Sequence, residues 1–306
     1  MHIYESRAQG QSQKDSYEIL EYGQSGAVQF ADRAGDLQDA LASMADAGFD
    51  YAVVANLFYT IASNDGIIEC SPGSPGGTNV LHSLATARDR LIAYNRWVAS
   101  VGRTHPQLIP FVSLDPWVMS SDEMCSHLTD MVSGYGARGV KLHPIAQRFA
   151  ANDERMLPAL RLCADMQIPV LIHSGTSTAN SYAEPRTLAR LLSEIPTLRL
   201  VVAHLGGGAW RQTRELAKAQ PNILFDCAEI IAWTGAPMAP SQRDVARLIR
   251  DVGPERVLLG SDFPWYDLGK TAEQVLALPI LSAEEKDLIL GLNAARLLNL
   301  ATQQTI

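Results

Sequence analysis

The amino-acid sequence predicts an α/β fold, a (β/α)8 barrel in a single domain, and two observations support this. Short β-branched runs alternate with longer segments whose apolar residues recur at helical spacing, in the order strand then helix. The strand segments are almost continuously apolar, as in LRLVVA and RVLLG, which is typical of parallel strands covered by helices. Eight such units favour a closed TIM barrel over an open, doubly wound sheet.

The predicted elements follow one another in chain order. We expect strands at residues 1–4, 51–58, 108–114, 139–143, 168–173, 198–204, 223–227 and 256–261. We expect helices at about 36–48, 83–102, 121–136, 153–166, 185–194, 209–219 and 242–250. Long rim loops are expected at about 5–31 and 59–80, since both stretches interrupt the alternation. No change of composition marks a second domain, so residues 1–306 are predicted to form one.

Composition and charge exclude several classes of partner. The chain is 47% hydrophobic and 19% charged, as in globular proteins, and it has no apolar run near the roughly 18 residues of a membrane span. Its net charge of −8 provides no basic surface for nucleic acid. The first residues lack the apolar stretch of a signal peptide, and the four cysteines lack metal-ligand spacing. We therefore expect a cytoplasmic protein with free thiols that acts on a small molecule.

Polar side chains lie at the ends of several predicted strands. His2 is in the first strand, His143, His173 and His204 end the fourth to sixth strands, and Asp262 follows the eighth. The ends of the first, fifth and eighth strands share one arc of a closed barrel. Two imidazoles and a carboxylate can converge there on a metal ion and leave one coordination position open for water.

Five sequence blocks carry a family resemblance. GVKLHP, PVLIHSG, VVAHLGGG, LLGSDFPW and LGLNAARLLNL resemble, in order and spacing, the motifs of the amidohydrolase-related family, the single-metal branch of the amidohydrolase superfamily. This branch includes proteins similar to aminocarboxymuconate semialdehyde decarboxylase. The resemblance covers about residues 35–300. It implies one divalent metal, zinc or alternatively manganese, bound by His173 and Asp262, with His204 as the group that polarises the substrate.

The first strand departs from the family pattern. Where the family has His-x-His, this chain has His2-Ile3-Tyr4, and a phenol of pKa about 10 must lose its proton before it binds a metal. We expect His2, Tyr4, His173 and Asp262 as the metal ligands, with Glu5 as a substitute for Tyr4. Two alternatives stay open: residues 27–30 form the first strand, or the protein is a metal-free member of the fold.

Four further residues are candidates for substrate binding. Lys141 and His143 alternate along one strand, so both side chains face the barrel interior, and Lys141 can bind a carboxylate. Arg148 follows this strand and is a second candidate for an anion. Trp265 lies in the loop after the eighth strand, where aromatic side chains pack against ring-shaped substrates. Glu229, after the seventh strand, is a candidate for a second acid or base.

The leading functional hypothesis is hydrolysis of a lactone, amide or related acyl bond by metal-activated water, with Asp262 as general base and His204 stabilising the oxyanion. The first alternative is a lyase that decarboxylates or hydrates an aromatic or muconate-like acid. Decarboxylases of the family carry a glutamate shortly after the sixth-strand histidine, whereas here His204 is followed by Leu-Gly-Gly-Gly. The second alternative is a ligand-binding barrel without activity. A homo-oligomer is compatible with the sequence.

Overall fold

The computed structural model describes residues 1–22, 31–58, 60–63, 66–69, 79–81, 84–175, 181–232 and 239–301. The amino-terminal part contains helices α1 (Arg7–Tyr22) and α2 (Leu37–Ala47) and strand β1 (Ala52–Ala55). A small antiparallel sheet follows, with strands β2 (Thr60–Ser63), β3 (Gly66–Glu69) and β4 (Asn79–Leu81). The first rim segment therefore contains a helix and the second contains strands. Residues 27–30, the alternative first strand, lie outside the described residues.

The remaining chain alternates strands and helices. The strands are β5 (Leu108–Ser113), β6 (Gly139–Leu142), β7 (Val170–Ile172), β8 (Leu200–Val202), β9 (Leu224–Asp226) and β10 (Val257–Leu258). The α-helices are α3 (Leu84–Thr104), α4 (Ser121–Ser133), α5 (Pro144–Gln147), α6 (Leu157–Asp165), α7 (Pro185–Glu194), α8 (Thr213–Ala219), α9 (Gln242–Val252), α10 (Leu268–Ala277), α11 (Ala283–Asp287) and α12 (Asn293–Leu298). The segment Ala203–Gln212, which is kinked at residues 204–207, the 3-10 turn Pro254–Arg256 and the π-helical turn Leu288–Leu292 complete the described elements.

The described strands β1 and β5 to β10 form one parallel sheet, hydrogen-bonded in that order. Helices cover its outer face, because each carries one apolar side. In α9 this side consists of Val245, Ala246, Leu248, Ile249 and Val252, and the helix begins with a capping box between Ser241 and Asp244. The predicted single-domain barrel is confirmed, with β1 and β5 to β10 as its second to eighth strands.

The amino-terminal residues occupy the place of the first barrel strand, at its carboxyl end. The Met1 ammonium donates to the Val53 carbonyl (2.9 Å), and the Ala55 N–H donates to the Met1 carbonyl (2.9 Å). On the other side, the His2 N–H donates to the Phe263 carbonyl (2.6 Å). Tyr4 forms an isolated parallel bridge with Asp36. Residues 1–4 therefore join β1 to the segment after β10 at the level of the barrel mouth.

A cavity of about 1,090 Å³ lies inside the barrel. It extends from Met1 towards the amino-terminal ends of the strands. Barrel interiors of this fold are normally filled by layers of side chains. Here apolar residues line most of the cavity, among them Val53, Ile109, Val201 and Leu258. The end of the cavity nearest the barrel mouth is lined by His2, Lys141, His204 and Asp262. No described helix combines the length and the hydropathy needed to cross a membrane.

Candidate active site at the barrel mouth

Most of the predicted site residues line one small cavity at the carboxyl ends of the strands. The cavity measures about 20 Å³. Eight of the residues that line it were predicted from the sequence as site residues: His2, Tyr4, Lys141, His143, His173, His204, Asp262 and Trp265. Gln13 and Leu57 complete the lining. Side chains from across the whole sequence thus converge on one centre, which is what closure of the barrel requires.

His2 and Asp262 form one hydrogen-bonded pair in this cavity, with His2 Nε2 lying 3.1 Å from Asp262 Oδ1. Burial lowers the pKa of His2 to about 4, so the ring is neutral and its Nε2–H donates to the carboxylate. Burial alone would raise the pKa of Asp262. The hydrogen bond from His2 and the nearby positive charges outweigh it and lower that pKa below its ordinary value. The pair is therefore a neutral imidazole and a carboxylate.

His173 and His204 form a second pair, with His173 Nδ1 lying 3.1 Å from His204 Nε2. On the other side of its ring, His204 Nδ1 donates to the Ala228 carbonyl (3.0 Å), because a carbonyl oxygen can only accept. Burial disfavours a charged His204, but the carboxylates of Glu229, Asp226 and Asp262 raise its pKa above the ordinary value. The surroundings of His204 thus favour the imidazolium form.

Three site residues have left-handed backbone conformations: His204 at φ 58°, Glu229 at φ 60° and Asp262 at φ 53°. Such conformations cost energy in residues other than glycine and cluster at functional sites. Asp226 stabilises the turn at His204, because its Oδ1 accepts the N–H groups of His204 (2.9 Å) and Ala228 (3.0 Å). The three turns bring polar atoms of these side chains within 4.8 Å of one another. His204 Nδ1, for example, lies 3.8 Å from Glu229 Oε2.

The glycines after His204 serve a close backbone approach. Gly207 has φ 52°, and a Cβ atom built on it would lie 2.6 Å from the Ser174 carbonyl oxygen. Gly206 has φ 89°, and a Cβ there would lie 2.4 Å from Thr213 Oγ1. Gly207 therefore allows the turn after β8 to pack against the segment that follows β7, and Gly206 allows it to pack against the start of α8.

Lys141 and His143 both line the cavity, in agreement with their alternation along one strand. The ring of His143 stacks on the ring of His173, with centroids 3.6 Å apart and an interplanar angle of 11°. Burial, reinforced by neighbouring positive charges that include Lys141, holds the pKa values of both histidines well below the ordinary range. Neutral imidazole is the form that binds metal ions.

The spacing of His2 Nε2 and Asp262 Oδ1 fits two ligands of one divalent cation. Two ligands of a tetrahedral ion, each about 2.0–2.1 Å from it, place their donor atoms about 3.3 Å apart. The His2–Asp262 pair, with His2 Nε2 and Asp262 Oδ1 3.1 Å apart, is close to this separation. Among the described residues, the group of three whose ligand atoms all lie within 4.8 Å of one another is His204, Glu229 and Asp262. A cavity of about 20 Å³ holds one water-sized occupant.

Tyr4 and Trp265 belong to an aromatic cluster above the cavity. Tyr4, Trp265 and Tyr266 are buried against one another, and the edge of the Trp265 ring system meets the His2 ring at 85°, with centroids 4.9 Å apart. Trp265 therefore contacts a predicted metal ligand directly. Tyr4 lines the same cavity, and it stays a predicted ligand.

Arg148 is a predicted site residue that the structure does not bring into the cavity. It is exposed, it ends helix α5 in a left-handed conformation (φ 56°), and it does not contribute to the cavity lining. The tight turn after β6 directs it to the protein surface. Gln13 was missed by sequence analysis because it reaches the cavity from α1, whose packing no motif indicates. Asp226 had a detectable signal, since it is the polar residue at the end of a predicted strand.

The fold and the site define a barrel protein of the amidohydrolase type. The family model for amidohydrolases matches residues 74–300, so the chain belongs to this family. No curated protein is significantly similar in sequence.

Three solved structures illustrate the structural similarity. An uncharacterised TIM-barrel protein from Bordetella bronchiseptica is 22% identical, with a TM-score of 0.66 over 94% of this chain and 89% of its own. 5-Carboxyvanillate decarboxylase from Novosphingobium aromaticivorans, complexed with manganese and 4-hydroxy-3-methoxy-5-nitrobenzoic acid, is 17% identical, with a TM-score of 0.66 over 94% and 88%. 4-Oxalomesaconate hydratase from Rhodopseudomonas palustris is 18% identical, with a TM-score of 0.61 over 98% and 94%. At these identities the similarity shows the fold.

Proposed function

We propose that the protein is a metal-dependent lyase that decarboxylates a small aromatic or unsaturated carboxylic acid without an oxidant. The observation that carries this proposal is the charge arrangement around the cavity: Lys141, His204 and Asp262 line it together, and the Asp262 carboxylate interacts electrostatically with both of the others. Lys141 supplies a buried cation for a substrate carboxylate, and His204 supplies a proton donor. Two proteins of similar fold, the decarboxylase and the hydratase named above, also act on carboxylated substrates, as their names state.

The metal in this proposal is one divalent cation, zinc or manganese, bound by His2, His173 and Asp262, with Tyr4 as a further candidate ligand. When bound, it supplies a Lewis acid that polarises substrate oxygens. The nitrogen and oxygen donors suit both ions. The manganese in the structure of similar fold supports this choice.

Side chains of the protein can bind the carboxylate and supply the proton that decarboxylation requires. Lys141 binds and orients the carboxylate, and the bond between the carboxyl carbon and the adjacent carbon breaks. The electron pair stays on that adjacent carbon and takes the proton from His204 Nε2, so that CO₂ and the protonated product are formed. Glu229 and Asp226, which flank His204 at 3.8 Å and 3.9 Å from Nδ1, stabilise the imidazolium before this transfer. The cavity of about 20 Å³ has no room for such a substrate beside an ion, so substrate entry requires its lining side chains to move.

Hydrolysis of an acyl bond is the second candidate, favoured by the position of the Asp262 carboxylate, an unprotonated group that lines the cavity. In the sequence, hydrolysis is favoured because no glutamate follows His204 in the Leu-Gly-Gly-Gly segment. The folded chain weakens this argument. Glu229 comes from the loop after β9 and brings a carboxylate to His204, although none follows His204 in sequence. We therefore rank decarboxylation first.

The test is an assay of the zinc-loaded and manganese-loaded protein with 5-carboxyvanillate and 2,6-dihydroxybenzoate, followed by CO₂ release, and with a panel of lactones, followed by acid release. We expect CO₂ from at least one aromatic acid and none after metal removal. Acid release from lactones without CO₂ would establish hydrolysis instead. Absence of turnover in every arm, with metal bound, would contradict both candidates.

A further inference from the structure

The turn after β6 fixes His143 through two reciprocal hydrogen bonds. The His143 ring caps helix α5, because Nδ1 accepts the Ala146 N–H (3.2 Å). In return, Gln147 Oε1 accepts the His143 N–H (2.8 Å). This is the logic of a capping box, in which a cap side chain and a residue in the first turn satisfy each other's backbone groups. The segment HPIAQ therefore orders both the backbone and the ring of His143.

Gln147 is itself anchored to two neighbouring strands of the barrel. Its Nε2 donates to the Leu114 carbonyl (2.6 Å), at the end of β5, and to the Phe58 carbonyl (3.2 Å), after β1. The side chain is completely buried. The amide thus uses both donor hydrogens and its acceptor on three separate strand ends, which fixes its orientation. Through Gln147, the position of His143 is therefore fixed relative to the ends of β1 and β5.

These contacts also determine which nitrogen of His143 carries the proton. Nδ1 accepts a backbone N–H, so it holds a lone pair, and the proton of the ring is on Nε2. The stack on His173 fixes the plane of the ring. His143 therefore presents a hydrogen-bond donor of known position at the edge of the ring opposite to Nδ1, and this ring lines the cavity.

We propose that His143 donates a hydrogen bond from Nε2 to an oxygen of the substrate carboxylate, and that Gln147 is the positioning residue that holds this donor in place. The inference rests on the proposed function, since it gives the carboxylate a second partner beside Lys141. A fixed neutral donor next to a cation favours a planar, two-oxygen anion over a single oxygen atom. The specificity of the site is thus for carboxylates.

The experiment uses the full-length, zinc-loaded protein labelled with ¹⁵N-histidine. Long-range ¹H–¹⁵N spectra distinguish the two tautomers, and benzoate serves as the carboxylate probe. In the unsubstituted protein, we expect His143 as the Nε2–H tautomer and a shift of its Nε2 resonance on addition of benzoate. In Gln147→Met, which removes all three amide contacts, we expect a mixture of tautomers at His143.

His143→Asn is the matched variant that keeps the fold. Asparagine is a good helix cap and retains an acceptor for the Ala146 N–H, but it lacks the distal N–H. We expect benzoate to bind this variant about 10- to 100-fold more weakly, as for loss of a hydrogen bond to a charged group. Gln147→Glu keeps the acceptor for the His143 N–H, and it should preserve more of the Nε2–H tautomer than Gln147→Met. If Gln147→Met does not fold, the tautomer of His143 in Gln147→Glu, compared with the unsubstituted protein, and the His143→Asn titration still decide.

An Nδ1–H tautomer in the unsubstituted protein would overturn the inference, and so would unchanged benzoate affinity in His143→Asn. Absence of any His143 shift with saturating benzoate, or of benzoate binding altogether, would overturn the donor assignment. None of these measurements needs turnover. A protein without decarboxylase activity that shows the expected spectra would therefore refute the proposed reaction and leave the carboxylate site standing.

Discussion

His2 Nε2 donates to Asp262 Oδ1 over 3.1 Å, although 260 positions separate the two residues in sequence. This hydrogen bond joins the amino-terminal segment to the turn after β10. The His2 N–H also bonds to the carbonyl of Phe263, next to Asp262. The barrel mouth is therefore closed at the point where metal binding is proposed, and the integrity of the site depends on two segments far apart in the sequence.

Asp262→Asn tests the proposed centre directly. The amide has the same shape as the carboxylate but no charge, and it binds a divalent cation weakly. We expect bound metal, measured by plasma emission spectrometry, to fall to a small fraction of the wild-type amount, and turnover to fall by at least about 10²-fold. Circular dichroism should be unchanged. Asp165→Asn, at an exposed position, is the control. Full metal content and rate in Asp262→Asn would remove this residue from the site.

Two further variants distinguish the two sets of candidate metal ligands that share Asp262. If His2 is a ligand, His2→Ala should lower zinc affinity by about 10- to 100-fold or more. Glu229→Gln should leave the metal content unchanged and reduce turnover, because His204 loses a neighbouring carboxylate. Competition with a chromogenic chelator measures the affinity. The reverse pattern would assign the metal to His204, Glu229 and Asp262, the other compact group among the described residues.

The sequence predicts the part of the site that depends on barrel geometry. His143, His173, His204 and Asp262 follow apolar strands, and parallel strands of a closed barrel end at one rim, so their convergence was predictable. Arg148 does not join them in the structure: it is exposed, because the tight turn of α5 reverses the chain just before it. Turn direction depends on local contacts such as those of Gln147, which a strand pattern does not encode.

Packing and unusual backbone place one residue that sequence analysis missed, Gln13, and one whose partner it did not predict, Glu229. Gln13 reaches the cavity only because α1 packs against the segment near Ala34, where a Cβ on Gly10 would lie 1.8 Å from the Ala34 carbonyl oxygen. Glu229 was considered as an acid or base, but its proximity to His204 depends on a left-handed residue that is not a glycine. Such conformations are decided by tertiary contacts rather than by local preference.

Gly207→Ala is expected to disturb the site through backbone contact. The new Cβ would lie 2.6 Å from the Ser174 carbonyl oxygen, in a residue that already has positive φ. We expect a loss of roughly 2–4 kcal/mol in the free energy of unfolding, together with lower metal affinity. Gly136→Ala is the matched control, since Gly136 has φ 79° and open space around its Cβ position. It should lose only about 1 kcal/mol. Equal losses in urea denaturation of the two variants would contradict the close approach.

His127 should make the protein less stable in mild acid, independently of the barrel mouth. Its Nε2 accepts a hydrogen bond from Asn95 Nδ2 (2.9 Å), whose Oδ1 accepts from the Ser113 N–H (2.9 Å). Burial, with a contribution from Arg96, lowers the pKa of His127 to about 4. The folded protein thus binds this proton less readily than the unfolded chain, whose histidine has a pKa of about 6.5.

The contribution of His127 to stability is therefore complete above pH 6.5 and is lost as the pH falls from 6.5 towards 4. The shift corresponds to about 3 kcal/mol between these limits. His127→Gln retains an acceptor for Asn95 but does not titrate. We expect urea denaturation at several pH values to show a smaller acid-induced loss for His127→Gln than for the wild type. The other buried histidines contribute equally to both proteins, so they cancel in the comparison. Parallel pH profiles for the two proteins would show that His127 gains its proton in the folded state as easily as in water.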